Sequence, residues 1–499
     1  MDTILNWVAI SIVGFYAFLL GLLMLYGLHR YWIVYLYWKY RKKSPYQDAS
    51  YQKATPSFDL HDSPVVTVQL PLYNEFYVAG RLIDAVCSLD YPKEKLEIQV
   101  LDDSDDATVD VVKGKISFWR EKGFHIHHLM RPTRKGYKAG ALAWGLERAK
   151  GDFIAIFDAD FIPPKDFLHA TLPYFKNKQV GMVQTRWGHI NADYSLLTRV
   201  QALFLDGHFL LEHTARYRSG AFFNFNGTAG IWRKETIVSA GGWSDRTLTE
   251  DLDLSYRAQL TGWKFVFVPY FVCPAELPVD IHAFRSQQKR WTQGAIQVAK
   301  YLLRDLWKAS LPLHTKIEAT AHLTSNVGYL LTVLVAVLLL PTLLVRERVG
   351  WMHVEFVELV TFFATAISIA FFYAVSLREI YPNWKWKLKD IPALLSFGIG
   401  MCVSNAKAVW EGLVGTHFEF VRTPKYGICN KFDSWVKNKY SQSNYRSWLP
   451  YTFFATYSLL SFVVAFNSKN WFSLPFIFLF VFGFSYVAGL SYVHSHKNQ

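Results

Sequence analysis

Long uninterrupted apolar stretches stand at both ends of the chain, and short alternating apolar and polar runs lie between them. The first apolar run, residues 7–28, carries no charge and is long enough for the roughly 20 residues that cross the hydrocarbon core of a bilayer. Its downstream flank is basic, with Arg30, Lys39, Arg41, Lys42 and Lys43. A cleavable signal peptide has its positive charge upstream of a shorter apolar core, so that reading is rejected. The positive-inside rule puts the basic flank in the cytoplasm and the N-terminus outside.

Between residues 45 and 310 the pattern changes to that of a soluble α/β domain. VVTVQL (65–70), LEIQVLDD (96–103) and FIAIFDAD (153–160) read as buried strands, each ending in polar residues. Helical patterns over 79–89 and 138–149 lie between them. Strands alternating with helices predict a mostly parallel sheet that binds ligands beyond the carboxyl ends of its strands.

Apolar runs return after His322. Residues 326–345 and 356–377 are long enough to span, and the loop after them holds Arg378, Lys385, Lys387 and Lys389, which places it in the cytoplasm. The run 391–413 contains Asn405, Lys407 and Glu411. If it spanned, the following loop with Arg422, Lys425, Lys431, Lys437 and Lys439 would lie outside, against the charge rule. It is therefore predicted to lie flat as an amphipathic helix at the cytoplasmic interface. Residues 448–466 and 471–492 form a final hairpin, for five spans in all. The expected organisation is an N-terminal transmembrane helix and basic flank (1–44), a cytosolic catalytic domain (45–315), and a C-terminal membrane domain (316–499) with an interface helix (391–413) and a loop (414–447).

Composition agrees. The 499 residues are 51% hydrophobic and 19% charged, which excludes a disordered chain, and the 17% aromatic content suits a membrane protein. The net charge of +13 gathers on the cytoplasmic flanks; no zinc finger, homeodomain or basic tail accompanies it, so nucleic acid is not the expected partner. Cys87, Cys273, Cys402 and Cys429 are far apart, which argues for buried thiols rather than disulfides or zinc.

Candidate chemistry lies in acidic clusters of the central domain: Asp102-Asp103, Asp105-Asp106, Asp158-Ala159-Asp160 and Thr249-Glu250-Asp251. Asp-x-Asp at a strand end suits a divalent cation held jointly by carboxylates and substrate phosphates. The bland alternative is turn chemistry, where Asp is common. Thr249 is positioned to cap a helix with acidic residues in its first turn. A carboxylate there can also serve as general base toward a sugar hydroxyl. In QQKRW (287–291), Arg290 offers a charge-assisted contact to phosphate and Trp291 a flat face for a sugar ring, although a basic amphipathic helix at the membrane surface would read the same way. GYKAG (136–140) precedes a helix, where Lys138 and backbone amides can approach a diphosphate.

Taken in order, PLYNE (71–75), LDDS (101–104), YKAGAL (137–142), DAD (158–160), QTRW (184–187), FNGTAGIWR (225–233), TED (249–251) and QQKRW (287–291) resemble the processive branch of glycosyltransferase family 2, the cellulose-synthase superfamily. The resemblance runs from about residue 65 to 301. It is closest to the cellulose-synthase-like A and C groups, which are mannan and glucan synthases. FEFVRTPKYG (418–427) is similar to the gating loop of cellulose synthase, with Arg422 standing as one extra residue before Thr423. After QQKRW the chain reads TQGA, unlike those groups.

The resemblance implies a cytosolic GT-A domain inserted between transmembrane helices, binding a nucleotide sugar with Mg²⁺ or Mn²⁺. Tyr73, Glu75, Asp102, Asp103 and Lys138 would lie around the nucleotide, and Asp158 and Asp160 would hold metal and diphosphate. Gln287, Arg290, Thr423 and Lys425 would steady the diphosphate. Asp251, with Glu250 beside it, would be catalytic; Asn226, Gly227, Thr228 and Trp291 would bind the acceptor. The implied activity is a processive, inverting hexosyltransferase that extends a β-linked polysaccharide, with β-1,4 linkage favoured, and exports it through its own spans. UDP-glucose is the favoured donor. The alternatives are a β-mannan or glucomannan synthase using GDP-mannose, and a non-processive transferase with a lipid acceptor. The implied partners are the donor, the growing polysaccharide and the bilayer of a plasma, inner or Golgi membrane.

Overall fold

The computed structural model describes residues 2–41, 63–349, 354–415, 420–436, 439–440 and 446–497. Lys42, Lys43, Lys437 and Phe418, and the expected start of the catalytic domain at residue 45, lie outside the described residues. The first apolar run forms helix α1 (Asp2–Tyr40), longer than the run itself because the basic flank continues the helix.

Seven strands form one sheet: β1 (Val66–Leu72), β2 (Leu96–Asp102), β3 (His125–Leu129), β4 (Phe153–Ile156), β5 (Val180–His189), β6 (Gly230–Arg233) and β7 (Lys264–Ala275), in the order β3-β2-β1-β4-β6-β5-β7. β1, β2 and β4 are buried along nearly their whole length, as continuous Val/Ile/Leu runs in a covered parallel sheet should be. Their pairing is parallel, with Val66 opposite both Leu96 and Phe153. β6 runs antiparallel to β4 and β5, so the sheet is mixed. This reversal brings FNGTAG, which leads into β6, to the edge where β1, β2 and β4 end. FIAIFDAD is a strand only through Ile156. Beyond it the backbone leaves the ladder, and the Asp158 amide donates instead to Thr228 Oγ1 at 2.9 Å.

The domain's helices are α2 (Ala79–Cys87), α3 (Thr108–Glu121), α4 (Tyr137–Arg148), α5 (Phe167–Thr171), α6 (Leu196–Asp206), α7 (Thr214–Ser219), α8 (Lys234–Ser239), α9 (Glu250–Leu260), α10 (Ile281–Lys308) and α11 (Leu313–Thr324). A π-helical turn, Gly207–His213, joins α6 to α7. α12 (Val327–Val349), α13 (Val354–Ile380), the short α14 (Trp384–Lys387), α15 (Ile391–Val414), α16 (Leu449–Asn467) and α17 (Leu474–Lys497) follow.

Among the described residues, six helical segments are long and apolar enough to cross a membrane: those of α1, α12, α13, the stretch 384–414 that includes α15, α16 and α17. By length and composition 384–414 thus qualifies beside the five predicted. Its contacts set it apart. Asp390, just before α15, pairs with Arg199 of α6 at 3.4 Å. At its other end Glu411 pairs with Lys289 of α10 at 2.8 Å, and Lys300 donates to the Leu413 carbonyl. Both ends of a helix about 36 Å long therefore touch the catalytic domain.

Candidate active site

The polar residues that follow the strands converge on one pocket. Tyr73 and Glu75 follow β1, Asp103 follows β2, Asp158 and Asp160 follow β4, and Asn226 and Gly227 precede β6. Lys138 enters from the first turn of α4, Glu250 and Asp251 from the first turn of α9, and Gln287, Arg290 and Trp291 from α10. Thr423 and Lys425 arrive from the loop after α15. Two of the expected residues do not line this pocket. Asp102 is buried beneath it, where its carboxylate takes His128 Nε2 at 2.8 Å and the Ser104 amide at 3.0 Å. Thr228 is fully buried and holds the backbone of Asp158.

The backbone here is under conformational tension. Asn74, Tyr137 and Ala229, all with positive φ, stand at the end of β1, the start of α4 and the entry to β6. Gly227 has φ +81°, and a Cβ on it would lie 3.0 Å from Asp251 Oδ2 and 3.2 Å from Lys138 Nζ. Its carbonyl accepts from Lys138 Nζ at 2.9 Å, so only glycine lets this loop approach both charged groups.

Lys138 Nζ is 2.5 Å from Asp158 Oδ1 and 3.8 Å from Glu250. Burial opposes the lysine's charge, but Asp158, Glu250 and Asp251 outweigh it and raise the pKa. Burial raises Asp158 in spite of Lys138. Asp251 is pushed up to about 7, first by burial and then by the neighbouring Glu250. A carboxylate with that value suits general-base work near neutrality. The third acid of the turn, Asp253, has no exposed surface and is held by Arg246 and Arg257 at 2.9 and 2.8 Å.

Thr249 stands at the N-cap position of α9, but its hydroxyl does not cap the helix. The side chain packs against Gly294 of α10, where a Cβ would come within 2.5 Å of it. The expected cap is thus replaced by a helix contact, made possible by the glycine of TQGA.

Among the described residues, no three His, Cys, Asp or Glu side chains converge as a complete metal cage. Asp158 and Asp160 nonetheless fit Mg²⁺ or Mn²⁺. They are hard oxygen donors facing one pocket, and such ions are commonly held by one or two carboxylates plus substrate phosphates. Each carboxylate is paired with a lysine: Asp158 with Lys138, and Asp160 with Lys425 Nζ at 2.5 Å.

The loop after α15 lies inside the pocket. Lys425 also donates to the Glu276 carbonyl at 2.6 Å, and the Tyr426 amide donates to Glu276 Oε1 at 2.9 Å. Arg290 donates to the Val421 carbonyl and covers the Phe420 ring. Tyr440 Oη reaches Asp106 at 2.5 Å. Sequence reasoning gave no role to Glu276 or Arg134, nor to Trp187 and Phe420, although the motifs QTRW and FEFVRTPKYG contain these last two. Glu276 follows β7, so the strand-end rule applied to the other acids would have found it; Arg134, which stacks on the Tyr73 ring at 3.4 Å, belongs to no motif.

A second, mainly apolar cavity of about 470 Å³ opens between the helices, lined by Leu20 and Leu23 of α1, Tyr329 of α12, Phe397 of α15 and Phe480 of α17. It shares Trp187, Asn226, Thr249, Asp251 and Trp291 with the first pocket.

Residues 63–294 match the sequence profile of a family described as "Glycosyltransferase like family 2". Glucomannan 4-beta-mannosyltransferase 1 of Oryza sativa subsp. japonica is 35% identical over 403 residues, 77% of this chain and 74% of that one. Glucomannan 4-beta-mannosyltransferase 7 of Arabidopsis thaliana is 35% identical over 425 residues, 82% of this chain and 72% of that one. For the probable glucomannan 4-beta-mannosyltransferase 4 of Oryza sativa subsp. japonica, identity is 46% over 250 residues, and the match spans 49% of this chain and less than half, 46%, of the relative. The solved mannosyltransferase PcManGT from Pyrobaculum calidifontis, in complex with GDP-Man and Mn²⁺, superposes with a TM-score of 0.54 at 18% identity. That match covers 81% of this chain and all of the other, and the likeness is one of fold.

Proposed function

The chain belongs to glycosyltransferase family 2, its central domain carrying the GT-A fold among apolar helices, and from that premise we propose that it is a processive β-mannan synthase using GDP-mannose. The observation that carries this reading is the junction of the two cavities at Asp251 and Trp291. A sugar donated in the polar pocket meets an acceptor whose remaining length has an aromatic-lined way out between the helices. The favoured expectation of UDP-glucose finds no support among relatives named as mannosyltransferases, which favour the GDP-mannose alternative instead.

In the proposed reaction Asp251 takes the proton of the acceptor hydroxyl, which attacks the anomeric carbon from the face opposite the diphosphate. Inversion of an α-linked donor gives a β-linkage. Trp291 offers its ring to the acceptor sugar, and Asn226 a side-chain amide. Lys138 balances Asp158, and Arg290 supplies positive charge toward the leaving diphosphate. Asp158 and Asp160 would hold the divalent cation, which when bound neutralises charge on the diphosphate. The helix α15, tethered at both ends to the catalytic domain, supports its lying at the cytoplasmic interface, which keeps Thr423 and Lys425 on the side of the donor.

Purified protein is offered radiolabelled GDP-mannose or UDP-glucose with Mg²⁺ or Mn²⁺, and the product is sized and digested with a β-mannanase. A mannanase-sensitive polymer from GDP-mannose is expected. Incorporation from UDP-glucose alone would overturn the donor, and a single sugar on lipid would overturn processivity.

A further inference from the structure

Arg422, in the loop after α15, lies against the end of β1. Its Nη1 donates to the Tyr73 carbonyl at 3.1 Å and stands 3.8 Å from Glu75 Oε2, too far for a hydrogen bond. Arg422 Nη2 and Glu75 Oε2 are both buried and have no hydrogen-bond partner among the described residues. Both residues line the polar pocket. Leaving a buried donor and a buried acceptor unused is costly, and on the wall of this pocket the two groups are placed to meet a ligand.

We propose that Arg422 and Glu75 together read the base of the donor nucleotide and favour guanine, Arg422 being a specificity residue of the loop. The inference rests on the GDP-sugar reading above and deepens it. Guanine presents the acceptor O6 next to the donor N1–H. Beyond O6 lies a second acceptor, N7, and beyond N1–H a second donor, the 2-amino group. A guanidinium takes O6 and N7 as a fork, and a carboxylate accepts from N1–H and the amino group. Uracil offers O4 next to N3–H, but no further acceptor for the arginine, and its O2 turns a lone pair toward the carboxylate. Adenine reverses the order, with a donor where the guanidinium needs an acceptor. The pair therefore ranks guanine above uracil above adenine. The neighbouring Tyr73 ring, already stacked by Arg134, extends the flat surface on which a base can lie.

The test is calorimetric titration of GDP, UDP and ADP with Mg²⁺ into the wild-type protein, Arg422→Ala, Arg422→Lys and Glu75→Gln. It is run at pH 8.5 because burial pushes Glu75 up to about 8, with Arg422 acting against this. Wild-type protein should bind GDP most tightly. Arg422→Ala should weaken GDP by about 5- to 150-fold, the range for losing a bidentate base contact, and UDP by a smaller factor. Arg422→Lys, which keeps the charge without the fork, should not restore the GDP-to-UDP ratio, and Glu75→Gln should lower it. If Arg422→Ala weakens GDP and UDP by the same factor, the guanidinium serves the diphosphate and the inference falls. It falls equally if neither nucleotide is affected. Tighter UDP binding by wild-type protein would instead sink the GDP-mannose reading, so the two failures are distinguishable.

Discussion

Lys425 Nζ sits 2.5 Å from Asp160 Oδ2, joining the loop after α15 to the strand-end carboxylate 265 residues earlier in the chain. The lysine thus holds a carboxylate expected to take a divalent cation. Removing it should free that oxygen. In Lys425→Met, Mn²⁺ is expected to bind more tightly in the absence of nucleotide, read from the loss of the free-ion signal in electron paramagnetic resonance. Asp160→Ala should abolish that gain; an unchanged Mn²⁺ affinity in Lys425→Met would show that the pair does not compete with the cation.

Asp251→Asn should reduce turnover by about 10²–10⁴-fold while leaving GDP binding nearly intact, as expected when a general base is lost. The stability effect has a definite sign. Asp251 is raised to about 7 in the fold, so the folded chain binds this proton more tightly than the unfolded chain does. That contribution to stability is lost as pH rises from the ordinary carboxylate range through about 7. The variant should therefore melt no lower than wild type at pH 8. A lower melting temperature, or near-normal polymer yield, would contradict the assignment.

The pH profile is a separate test. The acid limb of kcat/KM is expected near pH 7, where Asp251 loses its proton. Glu250 helps to raise Asp251, so Glu250→Gln should move the limb to lower pH even if the rate falls. A limb that does not move would detach the profile from this pair of carboxylates.

Gly294→Ala tests the seating of α9. The new methyl would lie within 2.5 Å of Thr249, directly before Glu250 and Asp251. A displaced base should lower kcat by an order of magnitude or more, since misplacement by about 1 Å can cost 10²-fold, while nucleotide affinity stays constant. Parallel losses in both would mean that the whole pocket had shifted.

The side on which the loop lies can be measured directly. Ser434 is exposed, next to Asp433, whose carbonyl accepts from Tyr194 of the catalytic domain. A cysteine placed at Ser434, with the four native cysteines replaced, should be labelled only from the cytoplasmic side. Labelling from outside would overturn the interface reading of α15 and the roles of Thr423 and Lys425.

The sequence showed what neighbours along the chain reveal. β1, β2 and β4 were legible as apolar runs, and Asp103, Asp158, Asp160 and Asp251 as acids at element ends, because strand ends in such a sheet face a common crevice. Contacts between distant segments were not legible. Nothing near Asp158 in sequence announces Lys138, and nothing near Asp160 announces Lys425. The reversal of β6 was hidden because GIWR is too short to reveal its direction. Asp102 and Asp103 look equivalent in sequence, yet the pleat sends successive side chains to opposite sides, and only Asp103 reaches the pocket. Arg422 was visible only as a departure from a motif; its partners Tyr73 and Glu75 required the fold.

The meeting of the two cavities at Asp251 and Trp291 also fixes a polarity. Under the proposed activity the donor brings its anomeric carbon from the polar side, so the hydroxyl that attacks it belongs to the last sugar of a strand already threaded between the helices. Growth would then take place at the non-reducing end, with the reducing end emerging first on the far side. Each addition leaves the new terminal sugar on the donor side of Trp291, and the strand must advance by one residue before the next transfer. Synthesis and secretion would then share a single stroke, with a step of one sugar length.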